Sequence, residues 1–138
     1  MTAARRQRIL VVDDDASIRR SLQLLLSKEG YEVAEASNGM EAVRLWRDRG
    51  ADLIILDLLM PEKDGIETII ELLAQSPGAR IIAMSGGGTT QRVDLLGDAK
   101  LLGALLTIEK PFALAEMIAK VRQALAADQE EGQASGQQ

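Results

Sequence analysis

Three consecutive carboxylates, Asp13, Asp14 and Asp15, follow the apolar run Ile9-Leu10-Val11-Val12. A fourth, Asp57, ends the run Leu53-Ile54-Ile55-Leu56. Ser85 closes a third such run, and Lys110 lies just past a fourth. The side chains able to do chemistry therefore stand where aliphatic stretches stop. Like charges ~4 Å apart repel by roughly 4 kcal/mol at an effective dielectric of ~20. Acids gathered at the ends of buried strands need a cation or a bound group beside them. Carboxylates from two strands, completed by water, suit an octahedral Mg²⁺. Such an ion also neutralises an incoming phosphoryl group as Lewis acid and template. In that setting Asp57 is a nucleophile able to form an aspartyl phosphate. Lys110 would neutralise one phosphate oxygen and the Ser85 hydroxyl would donate to another. Amide N–H groups in the open turn at Gly86 could do the same.

Composition narrows the alternatives. The chain of 138 residues is of one-domain size, and 46% hydrophobic residues are enough for a real core. Trp46, Tyr31 and Phe112 are its only aromatics, so that core is aliphatic. Histidine and cysteine are both absent. This excludes Ser-His catalysis, His-ligated or thiolate zinc, disulfides, and phosphohistidine formation on this chain. Any metal must be held by oxygen, which favours a hard cation. The lack of cysteine suits the cytoplasm. No apolar stretch approaches the ~18 residues of a membrane helix, and no signal peptide is visible. A net charge of −5 argues against direct nucleic-acid binding, which needs basic clusters. The one cluster present, Arg5-Arg6-Arg8, reads as a solvated lead-in.

The elements that must position these groups alternate along the chain. Ile9–Val12 is a short, wholly apolar strand of the kind covered on both faces. A helical stripe of Ile18, Leu22, Leu25 and Leu26 follows and stops at Gly30. Tyr31–Ala34 is a weaker strand. Asn38 can cap the next helix with Glu41 in a variant capping box, and Gly50 closes that helix. Trp46 belongs to its apolar face with Ala42 and Leu45. The third strand ends at Asp57, and Ile66, Ile69, Ile70 and Leu73 form the next stripe, broken at Ser76-Pro77-Gly78. Arg80–Met84 is a fourth strand. A poorly specified helix over Thr90–Leu102 contains Gly97, at a cost of ~1 kcal/mol against Ala. Ala104–Ile108 is a fifth strand, and Leu114, Ile118, Val121 and Leu125 stripe a fifth helix. This alternation predicts an α/β fold: a flavodoxin-like, doubly wound parallel sheet of five strands with helices on both faces. For strand order 2-1-3-4-5 the ligand crevice lies at the carboxyl ends of strands one and three. The organisation expected is an N-terminal arm over 1–7, one domain over 8–127 and a disordered polar tail over 128–138.

The set "LVVDDD", "LIILDLLMPEKDG", "IIAMSGG" and "EKPF" resembles the receiver domain of two-component response regulators. The likeness spans about residues 8 to 126. It implies Asp57 as the phosphoacceptor, Asp14 as a direct metal ligand and Asp13 as one acting partly through water. It also implies a metal contact from the Leu59 carbonyl, a switch hydroxyl at Ser85, and Lys110 as the lysine of the pattern, followed by a cis bond to Pro111. Asp15 has no site role in the family and reads as an exposed acid at the positive end of the first helix. Thr107 departs from the pattern. The family usually places Tyr, Phe or His there as a rotameric switch, and a hydroxyl-methyl group does not sweep that volume.

The resemblance implies a signalling module that is not an enzyme beyond promoting its own phosphorylation and dephosphorylation. Having no histidine, the chain would take its phosphoryl group from a sensor histidine kinase, a histidine phosphotransfer protein or a small donor. It would switch the face made by the fourth helix, fifth strand and fifth helix, and present that face to a downstream target protein. It would act without nucleic acid or membrane, as a monomer or weak dimer, in the stand-alone form if 138 residues is its natural length. Ordering of the fourth helix and its glycine-rich loop, Gly86 to Leu102, is the expected switching event. Two other readings compete. One is a receiver-like scaffold that binds partners without phosphorylation. The other is a phosphatase of the haloacid dehalogenase kind, whose first motif Asp13-x-Asp15-x-Ser17 echoes, with Ser85 and Lys110 mimicking its second and third. That family's acidic fourth motif is missing, and the phosphorylated aspartate separates it from the signalling module: Asp57 for the module, Asp13 for the phosphatase.

Overall fold

The computed structural model describes residues 6–60, 65–86 and 95–127. Ten elements alternate: β1 (Arg8–Val12), α1 (Ala16–Lys28), β2 (Glu32–Ala36), α2 (Gly39–Arg49), β3 (Leu53–Asp57), α3 (Gly65–Gln75), β4 (Ile81–Gly86), α4 (Leu95–Leu102), β5 (Leu106–Lys110) and α5 (Leu114–Ala126). The strands form one parallel sheet in the order β2-β1-β3-β4-β5. This is the expected doubly wound topology, with its switch point between β1 and β3.

Strand periodicity divides the core into two layers. Leu10, Val12, Ile54, Leu56, Ile81 and Ala83 face α2, α3 and α4, whose Ala42, Val43, Ile69, Leu72 and Ala99 are buried against them. The alternate residues Ile9, Val11, Leu53, Ile55, Ile82 and Met84 face α1 and α5, through Leu22, Leu26, Met117 and Val121. Every residue of β3 is buried, including its terminal acid, so Asp57 is delivered by the most enclosed strand of the sheet. Trp46 packs against the first layer and donates its indole N–H to Ser76 Oγ at 3.0 Å, a structural role. No helix among the described residues is long and apolar enough to cross a membrane.

The elements differ from expectation in five places, one of them β4, whose ladder with β5 carries the strand on to Gly86 in place of an open turn there. β2 runs two residues further, to Ala36, because its ladder with β1 continues in register from Arg8↔Glu32 to Val12↔Ala36. β5 begins two residues later, at Leu106, because Gly103 at φ 125° and the Ala104 amide, bonded to Ala99 O at 2.9 Å, complete the turn out of α4. Lys110 is thus the last residue of β5. The buried stripe of α3 is Thr68, Ile69 and Leu72, while Ile70 is 53% exposed. On α5, Met117 and Ala124 join the core and Leu114 is half exposed. The Thr90–Asp94 part of the expected fourth helix, Gly87 and Gly88, residues 1–5 of the arm and the tail over 128–138 lie outside the described residues.

Candidate functional site

The site is assembled by strand endings. β1 stops at Val12, and the next residue, Asp13, is fully buried, its amide bonded to Ala36 O at 3.2 Å. The backbone then turns into α1. Asp15 caps that helix: its carboxylate accepts from the Ser17 N–H at 2.9 Å and from Ser17 Oγ at 2.8 Å. The Ser17 side-chain bond, followed by its backbone bond, holds the Asp15 carboxyl below its ordinary pKa. This agrees with an exposed acid at the helix's positive end. The Asp15 amide meanwhile donates to Asp13 Oδ1 at 2.9 Å. One turn of chain thus splits three adjacent acids into a buried one, a second exposed at the cleft and a third facing the helix.

Asp57 ends β3 and is 4% exposed. Behind it the chain passes so close that a Cβ on Gly65 would lie 2.5 Å from Leu58 Cα and 2.6 Å from Asp57 O. Only glycine fits there, and its amide bonds Leu58 O at 3.0 Å. Leu59 is half exposed, and its N–H donates to Asp57 Oδ1 at 3.4 Å.

Carboxylate oxygens of Asp13, Asp14 and Asp57 lie within 4.8 Å of one another. Lys110 reaches this group from β5. Its Nζ bonds Asp13 Oδ2 at 2.8 Å and lies 3.6 Å from Asp57 Oδ1. Among the described residues, one ammonium therefore touches two of three clustered carboxylates. Burial first, then the Asp13 charge, push the Asp57 pKa up to about 6, although Lys110 pulls against them. Burial is also the largest influence on Lys110 and opposes its charge. The Asp13 hydrogen bond and the Asp57 charge outweigh it and raise its pKa above the ordinary lysine value. A pocket with this excess of negative charge suits a divalent cation, and a hard one, since every donor is oxygen.

Ser85 and Gly86 close β4, paired in register with Glu109 and Lys110, and Ser85 is buried. They stand one and two residues beyond Met84, the partner of Asp57. Thr107 pairs with Ala83 deeper in the sheet, half buried. It therefore faces the α2–α4 layer, away from Ile108, which packs towards α5. The Lys110–Pro111 bond is cis. Beside the acids, a cleft of about 500 Å³ opens between α1 and the β5–α5 connection, lined by Ile18, Ser21, Gly86, Lys110, Phe112 and Leu114.

Of the residues singled out in the sequence, Asp13, Asp14, Asp57 and Lys110 are brought together. Ser85 and Gly86 sit on the same sheet edge, Leu59 touches the site through its amide, and Thr107 lies below it. Asp15 turns away to cap α1, which runs against the phosphatase arrangement, where Asp13 and Asp15 would work as a pair. Two contributors have no role assigned from the sequence. Gly65 is one; its signal is a glycine opening a helix eight residues after the acid. Arg19 is the other: it donates to the Asp13 carbonyl at 2.7 Å. Its signal is a cation in the second turn of a helix, where the macrodipole disfavours it.

Known proteins agree with this geometry. The model of the response regulator receiver domain family matches residues 9–122. Chemotaxis protein CheY of Thermotoga maritima is 41% identical over 77% of this chain and 87% of its own length. Sporulation initiation phosphotransferase F of Bacillus subtilis is 35% identical over 80% of this chain and 87% of its own. The transcriptional regulatory protein SrrA of Staphylococcus aureus is 38% identical, but this chain spans only 46% of its length. Among solved structures, the NtrX receiver domain of Brucella abortus superposes with a TM-score of 0.81 at 32% identity, covering 87% of this chain and 99% of that one. A CheY-like receiver domain protein of Methanospirillum hungatei gives 0.83 at 27% identity, with 93% and 99% covered. An acidic pocket at the switch point of a 2-1-3-4-5 sheet, a lysine spanning it and a family match over nearly all of the described chain lead to one conclusion: this chain is a receiver domain of the response regulator family.

Proposed function

We propose that the chain accepts a phosphoryl group on Asp57 and signals through the change that follows. In the transfer an Asp57 carboxylate oxygen attacks phosphorus. The bond from phosphorus to the donor breaks, and the donor leaves with its electron pair. With a partner's phosphohistidine that bond is P–N and the freed imidazole takes up a proton. With acetyl phosphate it is P–O and acetate departs. The donor protein would be a sensor histidine kinase or a histidine phosphotransfer protein, and the apolar cleft beside Lys110 offers it a docking place next to Asp57.

Asp13, Asp14 and Asp57, with the Leu59 carbonyl, would hold Mg²⁺. The observation that supports this is the set of three carboxylates within 4.8 Å, which the one ammonium among the described residues there does not neutralise. When bound, the ion supplies charge neutralisation and a template for the phosphoryl oxygens. Lys110, released in part from Asp57, would bond one phosphoryl oxygen, and the Ser85 hydroxyl and Gly86 amide would bond others. Ser85 lies at the end of β4 and Lys110 at the end of β5, so a pull on either reaches α4, β5 and α5, the face a target protein would read. Thr107, replacing an aromatic, leaves this transmission to backbone and hydroxyl movement. The same pocket would admit water and limit the adduct's life, so the only chemistry promoted is on the chain itself.

The test is intact-mass analysis after incubation with acetyl phosphate and Mg²⁺. Native protein gains one phosphoryl group, and Asp57→Asn and metal-free samples do not. Absence of any adduct with acetyl phosphate and with a phosphohistidine donor would favour the scaffold reading.

A further inference from the structure

Asp13 carries two duties in the site: it bonds Lys110 and faces the cation position. Its aim depends on its main chain, which is held from both sides. The amide is bonded by Ala36 O of β2. The carbonyl accepts from Arg19 Nη1 at 2.7 Å. Arg19 is in turn gripped by Glu35 of β2, whose Oε1 lies 3.3 Å from Arg19 Nε. A planar guanidinium holds its donors in fixed, well-separated directions and so reaches both partners from one pre-organised plane, where the compact ammonium of a lysine has all its donors on a single atom. Arg19 is only 19% exposed, though it lies in the second turn of α1. A cation near a helix N-terminus is disfavoured by the macrodipole. Simple helix surface chemistry would therefore leave it pointing into water. Here it turns back towards the strand end instead.

We infer that Arg19 is a positioning residue for the phosphorylation site, locking the Asp13 backbone so that its carboxylate is presented to both Lys110 and the cation, with Glu35 fixing the guanidinium. Loss of the fork leaves a carbonyl unpaired where β1 meets α1. The loop that carries Asp13, Asp14 and Asp15 then relaxes, and the Asp15 amide bond to Asp13 Oδ1 lengthens. Groups that orient metal-ligating side chains typically contribute 10–100-fold to metal affinity. The inference rests on the reading that Asp13 helps to hold Mg²⁺ for transfer to Asp57.

The experiment compares native protein with Arg19→Ala, Arg19→Lys, Glu35→Gln and the exposed control Arg20→Ala. Three quantities are read: the Asp15 amide resonance and its exchange in metal-free protein, Mg²⁺ affinity by calorimetry, and the rate of adduct formation with acetyl phosphate. Arg19→Ala is expected to shift the Asp15 amide, weaken Mg²⁺ binding about tenfold and slow the adduct to a similar degree. Arg19→Lys recovers part of each, Glu35→Gln loses about threefold, and Arg20→Ala matches native protein. If Arg19→Ala does not fold, Arg19→Lys and Glu35→Gln carry the test. Native Mg²⁺ affinity and an unmoved Asp15 amide in folded Arg19 or Glu35 variants would overturn the inference. If native protein formed no adduct while the Asp15 amide still responded to Arg19, the functional reading would fall and the positioning role would stand.

Discussion

At the scale of the residue, the site is an unbalanced charge set. Asp57 illustrates the consequence. Its pKa rises from 3.8 to about 6, chiefly through burial and the Asp13 charge. Between those two values the folded chain holds a proton that the unfolded chain has released. In metal-free protein stability therefore falls as pH rises through that window, and the loss is complete at neutral pH. The shift corresponds to at most about 3 kcal/mol, less where solvent reaches the cleft. Asp57→Asn removes the charge and keeps the shape, so we expect it to stabilise metal-free protein at pH 7 by roughly 1–3 kcal/mol. Denaturant titration at pH 4 and pH 7 measures this, and the gain should shrink at the lower pH. Lys110→Ala acts in the opposite sense. It leaves fully buried Asp13 without its cation and should cost about 2–4 kcal/mol in metal-free protein. Mg²⁺ should restore part of the loss in the same titration. Asp13, Asp14, Asp57, Ser85 and Lys110 could be found in the sequence because each lies at or just past the end of an apolar run. Arg19 was missed because its partner is a main-chain carbonyl; its one mark, a cation early in α1, does not say what it bonds.

At the scale of the element, local chemistry and tertiary context contribute differently. The α2 cap was legible: Asn38 Oδ1 accepts from the Glu41 N–H at 2.8 Å, and Glu41 reaches back to the Ser37 N–H at 2.8 Å. Asn38→Ala should cost about 1 kcal/mol, read as a lower melting temperature with the site unaffected. The close approach at Gly65 was not legible, since it arises only when α3 returns behind β3. Gly65→Ala forces Leu58 or the Asp57 carbonyl to move. It should cost about 1–3 kcal/mol and slow adduct formation, unlike the cap variant. Equal loss in both variants would mean that Gly65 acts on stability alone. The misplaced stripe of α3 has a related cause. Four aliphatics on so apolar a helix do not by themselves say which face is inward, and the neighbouring α2 and α4 select Thr68 and Leu72 and leave Ile70 in solvent. Strand ends moved by two residues in β2 and β5 because ladder register and the α4 exit turn set them, whereas apolar content does not.

At the scale of the molecule, a parallel sheet brings residues 13, 57, 85 and 110 to one edge although they are far apart in the chain. The order β2-β1-β3-β4-β5 opens the crevice at the switch point. Strand-helix alternation and the handedness of crossovers point to a parallel sheet; the order 2-1-3-4-5 itself came by analogy with a known doubly wound fold. Under the proposed function, α4 belongs to the face that responds to modification. Its described span is eight residues with an internal glycine, and Leu101 is 87% exposed. A helix burying so little should be among the less protected elements. With a phosphoryl mimic and Mg²⁺, amide exchange over residues 95–110 should slow while α2 stays unchanged. Equal protection in both states would remove α4 from the signalling path. The central claim concerns which carboxylate takes the phosphoryl group. It is tested most directly by treating the protein with acetyl phosphate and Mg²⁺, trapping the acyl phosphate by borohydride reduction and sequencing the peptides. The account predicts the reduced residue at position 57 alone; reduction at position 13, or at none of the acids, would contradict it.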